Sequence, residues 1–125
     1  MNNEGEKIMN KEYVENWLNK LKKYWFNKDI ESAVSLFTKT TFYQETPFMK
    51  AYTTLEEINE EWQHITNENI KQIDFKILAI DNYTTIVEWY LEQNFEIYDG
   101  IYEIKFNDNL ECIYFKSWEM KDVSN

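Results

Sequence analysis

The amino-acid sequence predicts an α+β protein in which helices cover one face of a mainly antiparallel sheet. Three segments in the N-terminal half carry apolar residues every three or four positions, which is the spacing of amphipathic helices. In the C-terminal half, four runs alternate apolar with polar residues, which is typical of half-buried strands. Residues that favour tight turns separate the four runs. We therefore expect the four strands to form a meander against which the helices pack.

Two helices are predicted at the start of the chain. The first spans about residues 9–26, and the second begins after a break at residues 27–29. Asp29 is suited to cap the second helix, because its carboxylate can accept a hydrogen bond from a free backbone N–H of the first turn. The apolar stripe of the first helix consists of Val14, Trp17, Leu18, Leu21 and Trp25, and that of the second consists of Ile30, Ala33, Val34 and Phe37.

A short strand and a third helix follow. Residues 40–45 have strand character, and Pro47 holds Thr46 in an extended conformation because the proline ring disfavours helix at the preceding residue. Thr54 and Glu57 have the spacing of a capping box, which places the start of the third helix at Thr54. The expected buried stripe of this helix consists of Leu55, Ile58, Trp62 and Ile65.

The four predicted strands cover residues 69–81, 84–96, 100–106 and 110–120, with turns at 81–82, 99–100 and 107–109. Asn, Asp and Gly occupy these turns, and all three tolerate positive φ. The alternation places Ile73, Ile77, Val87, Leu91, Ile104 and Ile113 beneath the helices. It places Glu88, Glu92, Glu103 and Lys105 on the opposite face. A one-residue error in register would exchange the two sets.

Length and composition narrow the classes of function. A chain of 125 residues predicts a single domain at residues 11–125, after a flexible N-terminal tail at residues 1–10. The net charge of −10 disfavours nucleic acid and anionic membrane surfaces as partners. Cys112 is the single cysteine, so no internal disulfide is possible and a cytoplasmic location is expected. One histidine and one cysteine exclude an ordinary His/Cys zinc site, and neither metal nor cofactor is expected.

Four groups of residues, in their order and spacing, carry a resemblance to a known family. They are Asn27-Lys28-Asp29-Ile30 with Val34-Ser35-Leu36-Phe37, Glu45-Thr46-Pro47-Phe48, Leu55-Glu56-Glu57-Ile58 with Trp62, and Asp99-Gly100-Ile101-Tyr102-Glu103-Ile104-Lys105-Phe106. Together they resemble the nuclear transport factor 2-like superfamily, in particular its SnoaL-like members, over about residues 11–120. The resemblance implies a cone-shaped fold in which the helices close over a curved sheet and leave a pocket at one end.

The ketosteroid isomerase branch of this superfamily provides a test of function. Its carboxylate base lies just before the proline of the first strand, where this chain has Thr46. Its tyrosine donor on the first helix corresponds to Leu21, and its protonated aspartate on the penultimate strand corresponds to Tyr102. The resemblance therefore implies that the base and the helix donor of that branch are missing. Because threonine is not a general base near neutral pH, proton transfer of the ketosteroid isomerase type is not expected.

The same correspondence predicts a hydrophobic ligand pocket. Its expected lining consists of Trp17, Leu21, Trp25, Thr46, Trp89, Tyr102 and Phe115. None of these side chains is charged at neutral pH, so we expect an apolar or aromatic ligand, oriented by hydrogen bonds from Tyr102 and Thr46. Each large aromatic side chain could equally belong to an ordinary core, where it would contribute about 1.5–3 kcal/mol by leaving water.

Two further residues carry competing interpretations. His64, near the end of the third helix, is either a general acid or base at the mouth of the pocket or an exposed histidine beside a helix C-terminus. Glu45 could be a base in the pocket if a bulge near Pro47 turned it inward, but its alternation with Thr46 predicts that it faces away.

The opposite face of the sheet carries aromatic residues among its charges. Tyr90, Tyr114 and Trp118 lie there, and aromatic residues of this kind are enriched in protein interfaces. We therefore expect a homodimer through this face.

The sequence leaves three hypotheses for function. The first is a small-molecule-binding protein with an aromatic-lined pocket and no catalytic carboxylate. The second is a small lyase or isomerase acting on a ring-containing substrate, with His64 or Tyr102 as the acid–base group. The third is a dimerisation module whose cone is filled by side chains.

Overall fold

A computed structural model describes residues 8–124 of the chain. Within this range the helices are α1 (Lys11–Phe26), α2 (Ile30–Ser35) and α3 (Leu55–Trp62), the last continued by a 3₁₀ turn at Gln63–Asn67. The strands are β1 (Phe42–Gln44), β2 (Ile70–Asp81), β3 (Thr84–Gln93), β4 (Glu96–Phe106) and β5 (Cys112–Lys121). No helix among residues 8–124 has the length and apolar character needed to cross a membrane. Residues 1–7 lie outside the described range, so the limits of the tail and domain stay a prediction.

Side-chain caps define where the helices begin. Asn10 accepts a hydrogen bond from the backbone N–H of Tyr13 at 2.8 Å, so α1 starts at Lys11 rather than at residue 9. Asp29 caps α2 as expected, by accepting from the N–H of Ser32 at 3.3 Å. The predicted start of α3 is confirmed, because the hydroxyl of Thr54 accepts from the N–H of Glu57 at 3.2 Å.

The strands form one sheet in the order β1-β5-β4-β3-β2. Strands β2 to β5 pair antiparallel in sequence, which confirms the predicted meander. Strand β1 adds to the edge of β5 in parallel, with Tyr43 opposite Phe115. The α+β class with three helices on a mainly antiparallel sheet is therefore confirmed.

The turn predicted at residues 99–100 is wrong. Strand β4 starts at Glu96 and runs straight through Gly100, and the hairpin instead turns at Asn94 and Phe95, which have φ values of 52° and 64°. Two successive residues with positive φ suit a two-residue hairpin loop. Gly100 serves a different purpose: a Cβ there would lie 2.3 Å from the carbonyl oxygen of Trp118 and 2.6 Å from the Trp89 ring. The glycine therefore permits close approach inside the sheet.

The two faces of the sheet largely follow the predicted alternation. Ile73, Val87, Leu91 and Ile104 are buried under the helices. Ile77 and Ile113 are only partly buried, which corrects their assignment to the core. Ile113 is the extra residue at an irregularity in the pairing of β4 with β5. Lys105 pairs with Tyr114 and the adjacent Phe106 pairs with Cys112, so the register passes over Ile113.

The helices complete the core, with three positions less buried than expected. Trp25 and Ile30 are partly buried, and Leu55 is exposed at the first position of α3. At the centre of the core, the Trp17 ring meets the rings of Phe37 and Phe106 edge-on, with centroids 5.8 and 5.5 Å away. This part of the cone is closely packed.

Candidate functional site

A cavity of about 180 Å³ lies between the helices and the inner face of the sheet. Helix α1, helix α3 with its 3₁₀ turn, the segment after β1, and strands β3, β4 and β5 all contribute side chains. The lining consists of Leu21, Trp25, Tyr43, Glu45, Glu61, Trp62, His64, Ile65, Glu68, Trp89, Leu91, Gln93, Tyr102, Phe115, Ser117 and Glu119. The side chains therefore do not fill the cone completely, which disagrees with the hypothesis of a filled cone.

Aromatic rings form much of the cavity wall and hold one another in place. The Trp89 indole stacks on Tyr102, with centroids 5.4 Å apart and an interplanar angle of 19°. Its N–H donates a hydrogen bond to the hydroxyl of Ser117 at 3.0 Å in a buried position. On the helical side, the rings of Trp25 and Trp62 meet edge-on at 5.8 Å, and both indole N–H groups lack a hydrogen-bond partner among residues 8–124. Two buried donors beside the cavity thus remain without an acceptor.

Glu45 brings a carboxyl group into this aromatic environment. Tyr43 is buried opposite Phe115, so alternation along the extended chain places Gln44 outward and Glu45 inward. The Tyr43 hydroxyl donates a hydrogen bond to Oε2 of Glu45 at 2.7 Å. This arrangement corrects the prediction that Thr46 faces the cavity and Glu45 faces away from it. The burial of Tyr43, two positions earlier, was the signal that could have found it.

The environment of Glu45 shifts its titration close to neutral pH. Burial is the largest cause, because it disfavours the charged carboxylate, and the negative charges of Glu61 and Glu119 add to it. The hydrogen bond from Tyr43 acts in the opposite direction and only partly compensates. Together these effects raise the pKa of Glu45 from 4.5 to about 7. The group can therefore bind or release a proton under physiological conditions.

Tyr102 presents a hydroxyl without a protein partner. The residue is 5% exposed, and its phenol oxygen makes no hydrogen bond to the described part of the chain. Burial, followed by the charges of Glu45 and Glu119, holds the pKa of Tyr102 well above its usual 10. The phenol therefore stays protonated at neutral pH and can donate a hydrogen bond, as the sequence comparison implied for this position.

A second polar group lies on the helical side of the cavity. Glu61 of α3 accepts a hydrogen bond from the Tyr52 hydroxyl at 2.7 Å, and this bond is the largest cause of the rise in the Tyr52 pKa to about 12. His64 is exposed, and its Nδ1 lies 3.8 Å from Oε2 of Glu61. His64 therefore borders the cavity as an exposed partner of Glu61 and is not buried within it.

The structure brings together most of the predicted pocket residues. Leu21, Trp25, Trp89, Tyr102 and Phe115 all line the cavity. Trp17 does not, because its ring is enclosed between other aromatic rings of the core. Thr46 does not either, because it alternates with the inward Glu45.

The expectation of an uncharged lining is wrong. Glu45, Glu61, Glu68 and Glu119 all line the cavity, and burial raises the pKa of Glu119 as it does that of Glu45. Glu119 follows Phe115 and Ser117 along the inward positions of β5, so it shares their face. Glu61 and Glu68 come from α3 and from the loop after it. Spacing along the sequence did not reveal that these segments meet at one cavity.

The outer face of the sheet carries the aromatic residues predicted there. Trp118 is 38% exposed, with the Lys116 ammonium 4.6 Å from the centre of its ring. The Tyr114 ring stacks on Phe42 at 4.6 Å, and Tyr90 donates a hydrogen bond to Glu92. These contacts fix the rings on the surface without burying them.

No protein-family model and no curated protein matches this sequence. Solved structures do match the fold. An NTF-2 like protein of unknown function from Burkholderia xenovorans LB400 is 10% identical with a TM-score of 0.69, over 94% of this chain and 91% of that one. A steroid delta-isomerase from Pseudomonas aeruginosa is 14% identical with a TM-score of 0.65, over 86% and 79%. A computationally designed 17-OHP binder is 9% identical with a TM-score of 0.68, over 86% and 95%.

The chain therefore has the cone fold seen in NTF2-like proteins, and the fold implied by the sequence resemblance is confirmed. At these levels of identity the likeness concerns the fold alone. One of these three neighbours has no known function, one is described as an isomerase and one as a designed binder. Function must consequently be argued from the residues of this cavity.

Proposed function

We propose that the protein binds a small organic molecule in the cone cavity. The observation that carries the proposal is an aromatic-walled cavity lined by Tyr102, a buried residue whose hydroxyl makes no hydrogen bond within residues 8–124. Its volume of about 180 Å³ lies below the range of about 300–1,000 Å³ that is usual for drug-sized ligands. The aromatic ligand expected from the sequence is therefore restricted to a compact molecule with one ring or two fused rings.

Hydrogen bonding supports the same proposal. Tyr102 can donate from the sheet side of the cavity, and the unpartnered indole N–H of Trp62 lies on the helix side. A ligand that supplies an acceptor to the Tyr102 hydroxyl gains a hydrogen bond worth about 0.5–1.5 kcal/mol. The stacked Trp89 and Tyr102 rings offer a flat apolar surface for the body of the ligand.

Tryptophan fluorescence tests this proposal directly, because Trp25, Trp62 and Trp89 line the cavity. Titration with phenol, with excitation at 295 nm, is expected to change the emission saturably, and binding of indole, which itself fluoresces, is followed by calorimetry. Tyr102→Phe should weaken binding by roughly fivefold, the equivalent of one hydrogen bond of about 1 kcal/mol. Tyr90→Phe, the same substitution on the outer face, should leave binding unchanged. The absence of a saturable signal with both probes up to millimolar concentration would contradict ligand binding.

A second candidate function is acid–base catalysis on a ring-containing substrate, as a small lyase or isomerase. Glu45 supports it, because its pKa of about 7 suits a general base at neutral pH. Tyr102 would serve as a hydrogen-bond donor to a developing oxyanion, since its raised pKa keeps it protonated. His64 fits the acid–base role less well, because it is exposed and pairs with Glu61.

Proton exchange distinguishes catalysis from binding alone. Cyclohexanone in heavy water loses the NMR signal of the hydrogens beside its carbonyl when a base removes them. A catalyst that uses Glu45 should speed this loss, and Glu45→Gln should abolish the acceleration while Glu88→Gln on the outer face preserves it. Equal rates with wild-type protein and with buffer would leave ligand binding as the function.

We also propose that the protein forms a homodimer through the outer face and acts in the cytoplasm. Exposed Trp118 and the rings of Tyr90 and Tyr114 support the dimer, and the free, buried thiol of Cys112 supports the location. Trp118→Glu should shift light scattering toward the monomer, whereas Phe48→Glu, the same change at an exposed loop residue, should not. A monomeric wild-type protein at tens of micromolar would contradict the dimer.

A further inference from the structure

The polar lining of the cavity is strongly acidic. Four glutamates border it, and among its described lining residues there is neither lysine nor arginine. The charges of Glu61 and Glu119 both raise the pKa of Glu45, so the ionised carboxylates repel one another across the cavity. Such an arrangement favours a ligand that brings positive charge.

The aromatic walls strengthen this preference. Trp25, Trp62 and Trp89 present three indole rings to the same space, and indole is the side chain that best attracts a cation through its π face. Carboxylates interleaved with indole and phenol rings are the arrangement that recognises organic ammonium groups. An anionic ligand would be repelled by the carboxylates and by the π faces of the rings.

The hydroxyl of Tyr102 is an independent sign that a ligand belongs in the cavity. Tyr102 is 95% buried and lines the cavity, yet its phenol oxygen has no hydrogen-bond partner among residues 8–124. The carboxyl groups of Glu45 and Glu119 lie close enough for their charges to act on it. The oxygen can accept a hydrogen bond from an ammonium N–H or donate one to a polar group beside it.

We propose that the ligand is a small organic cation of the arylalkylamine class, whose ammonium group lies between the Glu45 and Glu119 carboxylates while its ring packs against Trp89. The proposal rests on ligand binding in the cone cavity and names the chemical class of that ligand. No three His, Cys, Asp or Glu side chains in the described range converge closely enough to hold a metal ion. The dispersed carboxylates suit a cation with a carbon skeleton.

Calorimetric titration with two probes of matched shape tests the charge preference. Benzylamine and benzyl alcohol share one ring and differ in the charge of the polar group at pH 7.5. Benzylamine is expected to bind at least tenfold more tightly. Glu45→Gln and Glu119→Gln should each remove most of this preference, whereas Glu88→Gln on the outer face should preserve it. The variants carry their own folding control, since binding of benzyl alcohol should persist in all of them.

Affinity should also depend on pH through the groups that face Glu45. These are Glu61 from α3, His64 from the 3₁₀ turn, Glu68 from the loop after it, Glu119 from β5, Tyr43 from β1 and Tyr102 from β4. Because only the ionised carboxylate attracts an ammonium group, the affinity for benzylamine should rise several-fold from pH 6 to pH 8.

The outcomes separate the two proposals. Equal affinity for the amine and the alcohol would overturn the cation proposal and leave ligand binding intact. If neither probe binds, and phenol and indole also fail, both proposals are wrong. A preference for benzylamine that survives in Glu45→Gln and Glu119→Gln would place the cation elsewhere and overturn the assignment.

Discussion

Replacing Glu45 with glutamine should make the protein more stable at alkaline pH and reduce the dependence of its stability on pH. The folded protein holds the Glu45 proton more tightly than the unfolded chain does, because the pKa is about 7 in the fold and 4.5 otherwise. The stability that the protonated group contributes is therefore fully present below pH 4.5 and is lost as pH rises through 7. At 1.36 kcal/mol per pKa unit, the total loss is about 3 kcal/mol.

Most of this loss falls in an accessible range. Integrating between the two pKa values gives a fall of about 2.5 kcal/mol from pH 5 to pH 8.5, a large fraction of the 5–15 kcal/mol typical of a domain. Glu119, whose pKa is also raised, adds a loss of the same sign. Three acidic groups have lowered pKa values, namely Glu57, Glu96 and Asp122. Their ionised forms stabilise the fold, and this stabilisation is lost only in acid, below the range from pH 5 to pH 8.5.

Urea unfolding at intervals from pH 5 to pH 8.5 measures the effect. Glu45→Gln should retain the hydrogen bond from Tyr43, because the amide oxygen can accept it. The free energy of unfolding of this variant should fall by about 2.5 kcal/mol less than that of the wild type over the range. Glu88→Gln, a matched change at an exposed position, should follow the wild type. Parallel curves for the wild type and Glu45→Gln would refute the burial of a carboxyl group with a raised pKa.

Three further predictions concern the same framework. Tyr43→Phe removes the hydrogen bond that lowers the pKa of Glu45, so the midpoint of the pH dependence measured by urea unfolding should move above 7. Gly100→Ala should destabilise the protein by about 1–3 kcal/mol, because the added methyl group collides with the backbone of Trp118. The effect is measured as a lower urea midpoint, and a loss of stability below about 0.5 kcal/mol would contradict that contact. Thr54→Ala removes the cap of α3 and should cost about 1 kcal/mol in the same assay, with the same pH dependence as the wild type between pH 5 and pH 8.5.

Much of the fold was predictable because periodicity and capping are local. The alternation in the C-terminal half fixed the meander, and the hydroxyl of Thr54 marked the start of α3. The errors fell where tertiary contacts override local preference. Asp99-Gly100 looks like a turn, yet Gly100 is needed inside β4 because a neighbouring strand and an indole ring approach it closely. The irregularity at Ile113 likewise depends on pairing between strands.

The site was less predictable than the fold. Residues on one face of a regular strand or helix, such as Trp89, Tyr102 and Leu21, could be assigned to the cavity from alternation and resemblance. The carboxylates could not, because Glu45 lies beyond the end of a three-residue strand and Glu61 lies on a helix whose rotation depends on packing. Which of these acidic groups meet is a property of the assembled cone.

The position of Glu45 is difficult to explain by stability alone. A partly buried carboxyl group whose ionisation costs about 3 kcal/mol at alkaline pH weakens the fold, and two other glutamates add to the cost. Glutamine would accept the same hydrogen bond from Tyr43 without that penalty. Groups held at such a cost are concentrated at functional sites, where the ligand or reaction uses the unfavourable charge. An ammonium group between Glu45 and Glu119 would turn the repulsion into attraction, so the feature that destabilises the empty cavity is the one that would bind its ligand.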